Sequence, residues 1–468
     1  MSKQKKSNIK YVVMIVAVIL VALLLSVALY FYNQSADKAV VSKEVRYILI
    51  AFLVALPVML ILLLLGLIFG KSDYKIDLSG LKANASLSGT AQPVATGKGI
   101  AKEEDEEEDR SRFYMLCEID ANRNRYQKTE YDEGITLQGI CEAFRNYACS
   151  KLKLYYSIED IRRFIAGMSV SKILILQGMS GTGKTSLAYA FGEFLDNKST
   201  VVPVQPMWKE RTDLVGYYNE FTKRFNETTL LQKMYEANYS KDIYVTILDE
   251  LNIARVEYYF AEFLSLLELP NPERRYLDVV TDEWENDPVQ LKGGRIKLPN
   301  NMWFIGTANN DDSTFAISDK VYDRAMVMNL DEKSEPFVAP KTASVHITAE
   351  RFMRLAEEAQ EEYTITNRNM RRLEKLDEYM IRTFHITFGN RIMKQIKAYI
   401  PVYVACGGEE LSALDDILTK KVLRKLETQN PVYIRSMVDG FCEYLDELFG
   451  RDTMKLCKAY VQRLKMNA

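Results

Sequence analysis

The segment GMSGTGKTS, running from Gly178 to Ser186, limits what this chain can fold into more than any other stretch. A short apolar β-prone run, Ile173 to Leu176, ends in Gln177 just ahead of it, and the helix-like stretch SLAYAFGEFL follows at once. Gly178, Gly183, Lys184 and Thr185 satisfy the pattern GxxxxGK[ST], and a strand, a glycine-rich loop and a helix in that order are what binding of a phosphate group needs. Glycines such as Gly181 let the backbone wrap. The N–H groups around Ser180, Gly181, Thr182 and Gly183, and the helix start at Lys184, Thr185 and Ser186, face the anion, while Lys184 adds a point charge. Thr185 supplies a hydroxyl to Mg²⁺. Such a loop follows a strand of a parallel sheet, so the expected fold class is α/β. A chain of 468 residues has room for about three domains at ~150 residues each.

IYVTILDE, ending at Glu250, reads as a second buried strand whose apolar run reaches Leu248 and then presents Asp249 and Glu250. Downstream of a phosphate loop this is a Walker B signature. Asp249 would hold Mg²⁺ through its water shell, and Glu250 would orient or deprotonate the water that attacks the γ-phosphate. A third strand, Met302 to Thr307 in MWFIGTANND, delivers Asn309 to another strand terminus, where ligands gather in open α/β folds. Its amide would polarise the same water. Beyond it, ISDKVYDRAMVMNL puts Arg324 near the end of a short helix, ahead of an apolar strand from Ala325 to Leu330.

The order of these motifs resembles the AAA+ ATPases, from about Gln138 to the C-terminus. LDELNIARVEYYFAEFLSLLE, IGTANNDDSTFAISDKVYDRA and WKERTDLVGYYNEFT are similar to the dynein-related branch, with its MoxR-like and McrB-like proteins. The resemblance implies a P-loop AAA+ three-layer sandwich with a parallel sheet and a C-terminal all-helical lid. It also implies ATP and Mg²⁺ as ligands, and a ring, a homo-hexamer, that remodels a partner protein. Within that frame Asn309 is the sensor-1 residue and Arg324 the arginine finger that reaches a neighbouring subunit's γ-phosphate. Asn310 and Arg255 are the alternates, because NN leaves the register open by one and ARVE offers another basic group. Arg391, in FGNRIMKQI at a helix start, resembles the sensor-2 position that contacts nucleotide from the lid. A basic residue at a helix N-terminus is disfavoured without an anion nearby, although an ordinary interdomain salt bridge would also satisfy it. GYYNEFTKRFNET, at 216–228, and ERRYLDVVTDEWENDPVQLKGGRIKLP are expected to form hairpins of the kind that face the channel in relatives. Tyr217, Tyr218 and Phe221 would there contact a substrate, or pack on one another.

Ahead of this region the chain changes character. Tyr11 to Tyr32 is 22 residues long, with Ser26 its one clearly polar member, and spans ~33 Å as a helix. Tyr47 to Gly70 adds 24 uncharged residues. The pair reads as a membrane anchor over 1–70, with transmembrane helices at 11–32 and 47–70. A cleaved signal peptide fits less well, because the first run is long and a second follows closely. Lys3, Lys5, Lys6 and Lys10, with Lys71 and Lys75, face Lys38, Lys43 and Arg46 between the spans, a bias toward the N-terminus inside. The expectation is a multi-pass membrane protein of two spans with its ATPase domain cytoplasmic. Residues 71–112 include seven consecutive acids from Glu103 to Asp109 and read as a disordered acidic linker with a reach on the order of 35 Å. Residues 113–337 then make the large α/β domain with a helical N-terminal extension. Residues 338–468, with patterns such as ERFMRLAEEAQEEY and MRRLEKLDEYMIRTF, make the helical lid.

Charge and composition exclude several classes. Lys and Arg total 61 against 63 Asp and Glu, so no direct nucleic-acid binding is expected. Two spans before an AAA+ module also look like the FtsH-type membrane protease. The two histidines, His346 in SVHIT and His385 in TFHIT, leave no HExxH helix for one. Six scattered cysteines without a CxxC pair fit reduced thiols. Three functions remain: an ATPase that remodels an unidentified protein client; an McrB-like motor of a restriction or antiphage system; and a nucleotide-dependent scaffold with little turnover. GTP stays open beside ATP because the loop reads phosphates. Glu250, Asn309 and Arg324 together favour turnover.

Overall fold

The structure, a computed structural model, describes residues 111–309, 314–331 and 333–467. The chain divides into two units, Met1–Gly97 and Lys98–Ala468, and every described residue belongs to the second. The expected multi-pass membrane localisation is corrected: among the described residues no helix is long and apolar enough to cross a membrane. The stretches 11–32 and 47–70, the anchor 1–70 that they define, and residues 71–110 of the expected linker lie outside the described residues. Arg112, expected at the end of the tether, is built into the domain. It is 5% exposed, paired with Asp287 at 2.7 Å and set 4.2 Å from the centre of the Trp284 ring.

Three helices open the domain: α1 (Met115–Ala121), α2 (Leu137–Tyr147) and α3 (Ile158–Val170). They lead into β1 (Ile173–Gly178), α4 (Lys184–Phe194) and β2 (Thr200–Pro203). A hairpin of β3 (Gly216–Asn219) and β4 (Arg224–Glu227) precedes α5 (Thr229–Ala237), β5 (Tyr244–Asp249) and α6 (Ala261–Glu268). A second hairpin, β6 (Tyr276–Asp278) with β7 (Arg295–Lys297), precedes β8 (Met302–Asn309) and β9 (Met326–Asn329). Six helices complete the chain: α7 (Ala349–Glu362), α8 (Asn367–Phe384), α9 (Gly389–Ala405), α10 (Glu410–Lys421), α11 (Pro431–Phe449) and α12 (Lys455–Asn467).

The strands pair in parallel as a five-stranded sheet in the order β2-β5-β8-β1-β9. The unbroken apolar run of β1 follows from its internal position, because both of its faces are covered. Leu174 and Leu176 enter one core with α2, α3, α4 and the C-terminal helices. Ile173 and Ile175 enter the other with α1, α5 and α6. Helices therefore cover both faces, which is the α/β sandwich expected. Trp303 of β8 is fully buried and donates its indole N–H to the Met168 carbonyl at 2.8 Å, fixing α3 across the sheet. Hydroxyls of Thr136, Ser157, Thr348 and Thr366 cap the helices that follow them, each accepting the N–H three residues on.

Register, rather than the apolar run, decides where strands end. The expected strand Ala325 to Leu330 contracts to Met326–Asn329, and β8 runs on to Asn309 because Asn309 pairs with Gly178 of β1. Both expected hairpins form as antiparallel pairs. In the first, Phe221 at the tip is 99% exposed, whereas Tyr218 meets Trp284 edge-on, so the aromatics divide between solvent and packing. The Glu227 carboxylate accepts from the N–H groups of Tyr114, Met115 and Leu116 and so anchors the start of α1 on this hairpin. The helical C-terminal part is joined to the core by Lys421, whose Nζ donates to the Tyr322 carbonyl at 2.8 Å and to that of Ala325. Burial pushes this ammonium down to about 7.

Candidate active site at the strand ends

Strands β5, β8 and β1 are consecutive neighbours and parallel, so their C-terminal ends open on one edge. Asp249 ends β5, Asn309 ends β8, and Gly178 ends β1 opposite Asn309. The loop from Gly178 turns there because its three glycines, Gly178, Gly181 and Gly183, adopt backbone angles that other residues rarely take. Gly178 has φ of 141° and a Cβ there would run into the Leu330 carbonyl. Gly183 has φ of 93°, with the Tyr156 ring against it.

Lys184 starts α4, is almost fully buried, and donates from Nζ to the carbonyls of Gly178 at 2.9 Å and Met179 at 2.7 Å. Its ammonium is thus held inside the curve of the loop. Ser180 and Gly181 form the exposed crest, the Thr182 hydroxyl braces the loop on the Met179 carbonyl at 3.0 Å, and Ser186 lies in the first turn of α4. Tyr156, which the sequence reading passed over, donates its hydroxyl to the Gly183 carbonyl at 3.1 Å. Burial pushes the phenol's pKa up, so it keeps the proton that makes this bond.

The hydroxyls of Thr185 and Thr307 both donate to Asp249 Oδ1, each at 2.8 Å. Thr307 in turn accepts the Glu250 N–H at 2.9 Å. Glu250 has φ of 53°, a left-handed conformation uncommon in a residue with a Cβ, and its side chain is exposed. The turn keeps Asp249 half-buried and swings Glu250 outward, and strain of this kind collects at functional sites. Thr185 and Asp249 are hard oxygen donors that converge, a set suited to Mg²⁺, which takes one or two protein oxygens and completes its shell with water and phosphate.

Thr307 was not legible beforehand except as a hydroxyl inside the buried run WFIGTAN. It is the group that ties Asp249 to Glu250. Thr307→Val keeps the β-branched shape and removes both bonds, the one to Asp249 and the one from the Glu250 N–H. We expect turnover to fall by about ten- to a hundredfold, two lost hydrogen bonds at the site, and the Mg²⁺ requirement to rise. Rates measured across a Mg²⁺ series check this, and an unaltered curve would show Thr307 to be mere packing.

Asn309 is half-buried, and its carbonyl accepts from Asn252 Nδ2 at 3.0 Å and from the Thr314 hydroxyl at 3.1 Å. Asn252, also unforeseen, is buried and additionally donates to the Phe315 carbonyl at 3.2 Å, which holds the two ends of the following loop together. Asn310 lies outside the described residues. A cavity of about 440 Å³ opens beside Asn309 and Gln177 and is lined from the C-terminal part by Arg424 and Arg463.

The candidate arginines fall in different places. Arg324 precedes β9, whose Met326 pairs with Leu174 near the start of β1. Four residues of strand, ~13 Å, separate that level from Gly178. Arg324 pairs with Glu268 at 2.7 Å. Arg391 does start a helix, α9, as expected. Its guanidinium pairs with Glu268 at 2.6 Å and lies 4.0 Å from Asp323, so these two carboxylates face its charge. Arg255 is exposed, with its guanidinium 5.0 Å from the Phe315 ring centre.

Comparison with known proteins agrees with the core of this picture. Residues 173–325 match the profile of the AAA domain, dynein-related subfamily. Residues 340–467 match a domain of unknown function, DUF8727. No curated protein matches the chain. Among solved structures, that of a Cytophaga hutchinsonii protein assigned as an ATPase is 12% identical, with a TM-score of 0.41, covering 72% of this chain and 96% of the other. A full-length MCM homolog from Methanopyrus kandleri is 11% identical, with a TM-score of 0.35, covering 63% of this chain and 62% of the other.

Proposed function

We propose that this chain, whose residues 173–325 carry an AAA domain of the dynein-related subfamily, hydrolyses ATP in a homo-hexameric ring and uses the cycle to remodel a partner protein. The observation that carries the reading is the continuous set of contacts Thr185–Asp249–Thr307–Glu250 beside the loop that holds Lys184. Loop N–H groups and Lys184 bind the β- and γ-phosphates. Thr185 and Asp249 are the residues that would hold Mg²⁺, which supplies charge neutralisation between those phosphates. Glu250 accepts the proton of the attacking water, and Asn309 orients that water from the adjacent strand. Arg324, remote from its own phosphate loop, is the group a neighbouring subunit would need, and this supports the ring.

The test uses the purified full chain. Mg²⁺-dependent hydrolysis of ATP and of GTP is measured over a protein concentration series, with oligomer mass recorded in parallel. The expected result is turnover per subunit that rises as rings form and exceeds the GTP rate with ATP. Tight nucleotide binding without turnover at every assembly state would replace the motor with a scaffold.

A further inference from the structure

Arg324 and Arg391 come from different parts of the chain and share one carboxylate. Glu268 closes α6. Its Oε2 is 2.7 Å from Nη2 of Arg324, and its Oε1 is 2.6 Å from Nη2 of Arg391. Arg324 also donates from Nη1 to the Lys320 carbonyl at 2.7 Å, so both of its terminal nitrogens are engaged within its own subunit. The lid holds the backbone on either side of this arginine as well. Gln395 of α9 donates to the Asp323 carbonyl at 3.1 Å, and Lys421 of α10 donates to the carbonyls of Tyr322 and Ala325. Asp323 is the other acid facing the cluster, 4.0 Å from Arg391.

We infer that Glu268 is a positioning residue that parks Arg324 against its own subunit, and that Arg391 of the lid competes with Arg324 for that carboxylate. This rests on the reading of Arg324 as a group that acts on a neighbour. With Arg391 in place, one carboxylate oxygen remains for Arg324 and one negative charge is divided between two guanidiniums. When the lid withdraws Arg391, both oxygens open to Arg324, and a bidentate arginine–carboxylate pair, the stronger geometry, holds it back. Lid position therefore sets how readily Arg324 leaves for an incoming phosphate. It also gives Arg391 a role that needs no contact with its own nucleotide.

The test is a double-mutant cycle on the full chain, in which kcat, KM for ATP, nucleotide affinity and thermal midpoint are measured for each variant. Arg391→Gln should lower kcat by about three- to tenfold with KM and nucleotide affinity unchanged, the scale expected for coupled neighbours. Adding Glu268→Gln should restore kcat, whereas Glu268→Asp, which keeps the charge, should not. Glu268→Ala reaches the same release by a second route should the Gln variant misfold. A merely structural role for Glu268 predicts the reverse order, with Asp tolerated better than Gln or Ala. Weakened nucleotide binding in Arg391→Gln, or no rescue by either neutral substitution, overturns the inference. Failure of the underlying reading looks different, because Arg324→Ala itself would then turn over normally.

Discussion

Glu250→Gln should abolish turnover, by about 10² to 10⁴-fold, and leave nucleotide binding intact. The side chain is exposed at the strand-end edge, while the backbone is tied down, its N–H to Thr307 and its carbonyl accepting from the Ile253 N–H. Gln keeps the shape and the backbone conformation but cannot accept a proton, so the change removes only the step in which the attacking water is activated. On the proposed reading phosphate is bound by Lys184 and the loop and Mg²⁺ by Thr185 and Asp249, and none of the contacts among these groups uses the Glu250 carboxylate. ATP affinity, followed by equilibrium binding, should therefore stay within about twofold, well under 1 kcal/mol. The variant should also accumulate as an ATP-bound assembly, since release waits on hydrolysis. Unchanged kcat in Glu250→Gln would mean that the water is activated by another group, and Asn309 could not be that group because an amide is no base.

What the sequence made legible at this site is what one contiguous segment can encode. The phosphate loop, the pair Asp249–Glu250 and Asn309 each follow a run of apolar residues that must be a buried strand, and a parallel sheet places such ends together. Thr307, Tyr156 and Asn252 could not be found that way. Their roles depend on partners 57 residues away for Thr307 and Asn252 and 27 residues away for Tyr156, and a hydroxyl or amide inside an apolar run has no pattern of its own. Arg391 illustrates the same limit from the other side. A cation at a helix start does call for an anion, but no local pattern points to Glu268, 123 residues earlier, as one within 2.6 Å. Arg112 reads as tether from sequence because its neighbours upstream are acidic and polar, and its buried partner, Asp287, lies 175 residues on. The first hairpin is legible because its turn and strand signals lie within Gly216 to Glu227, as local antiparallel pairing requires.

Two inactive variants should restore each other's activity if Arg324 serves a neighbour. Arg324→Ala alone should lower turnover by about 10³-fold, the lower range for an arginine that stabilises phosphoryl-transfer charge, with ATP affinity retained because Arg324 is absent from its own phosphate loop. Glu250→Gln is inactive for a different reason and keeps its arginine. Mixed in equal amounts and allowed to exchange subunits, half of the sites carry an intact Glu250, and half of those face a neighbour with an intact Arg324. About a quarter of the wild-type rate should return, since a head-to-tail ring makes every site a product of two chains. An arginine acting within its own chain predicts no recovery at any ratio, because every subunit then lacks one of the two groups. The measurement is turnover against mixing ratio at fixed total protein, and it should peak between the pure variants. The Glu268 pair adds a refinement to the same curve. Glu268→Gln placed in the chain that donates the intact Arg324 should raise the peak, since that guanidinium then leaves its own subunit without a carboxylate to hold it.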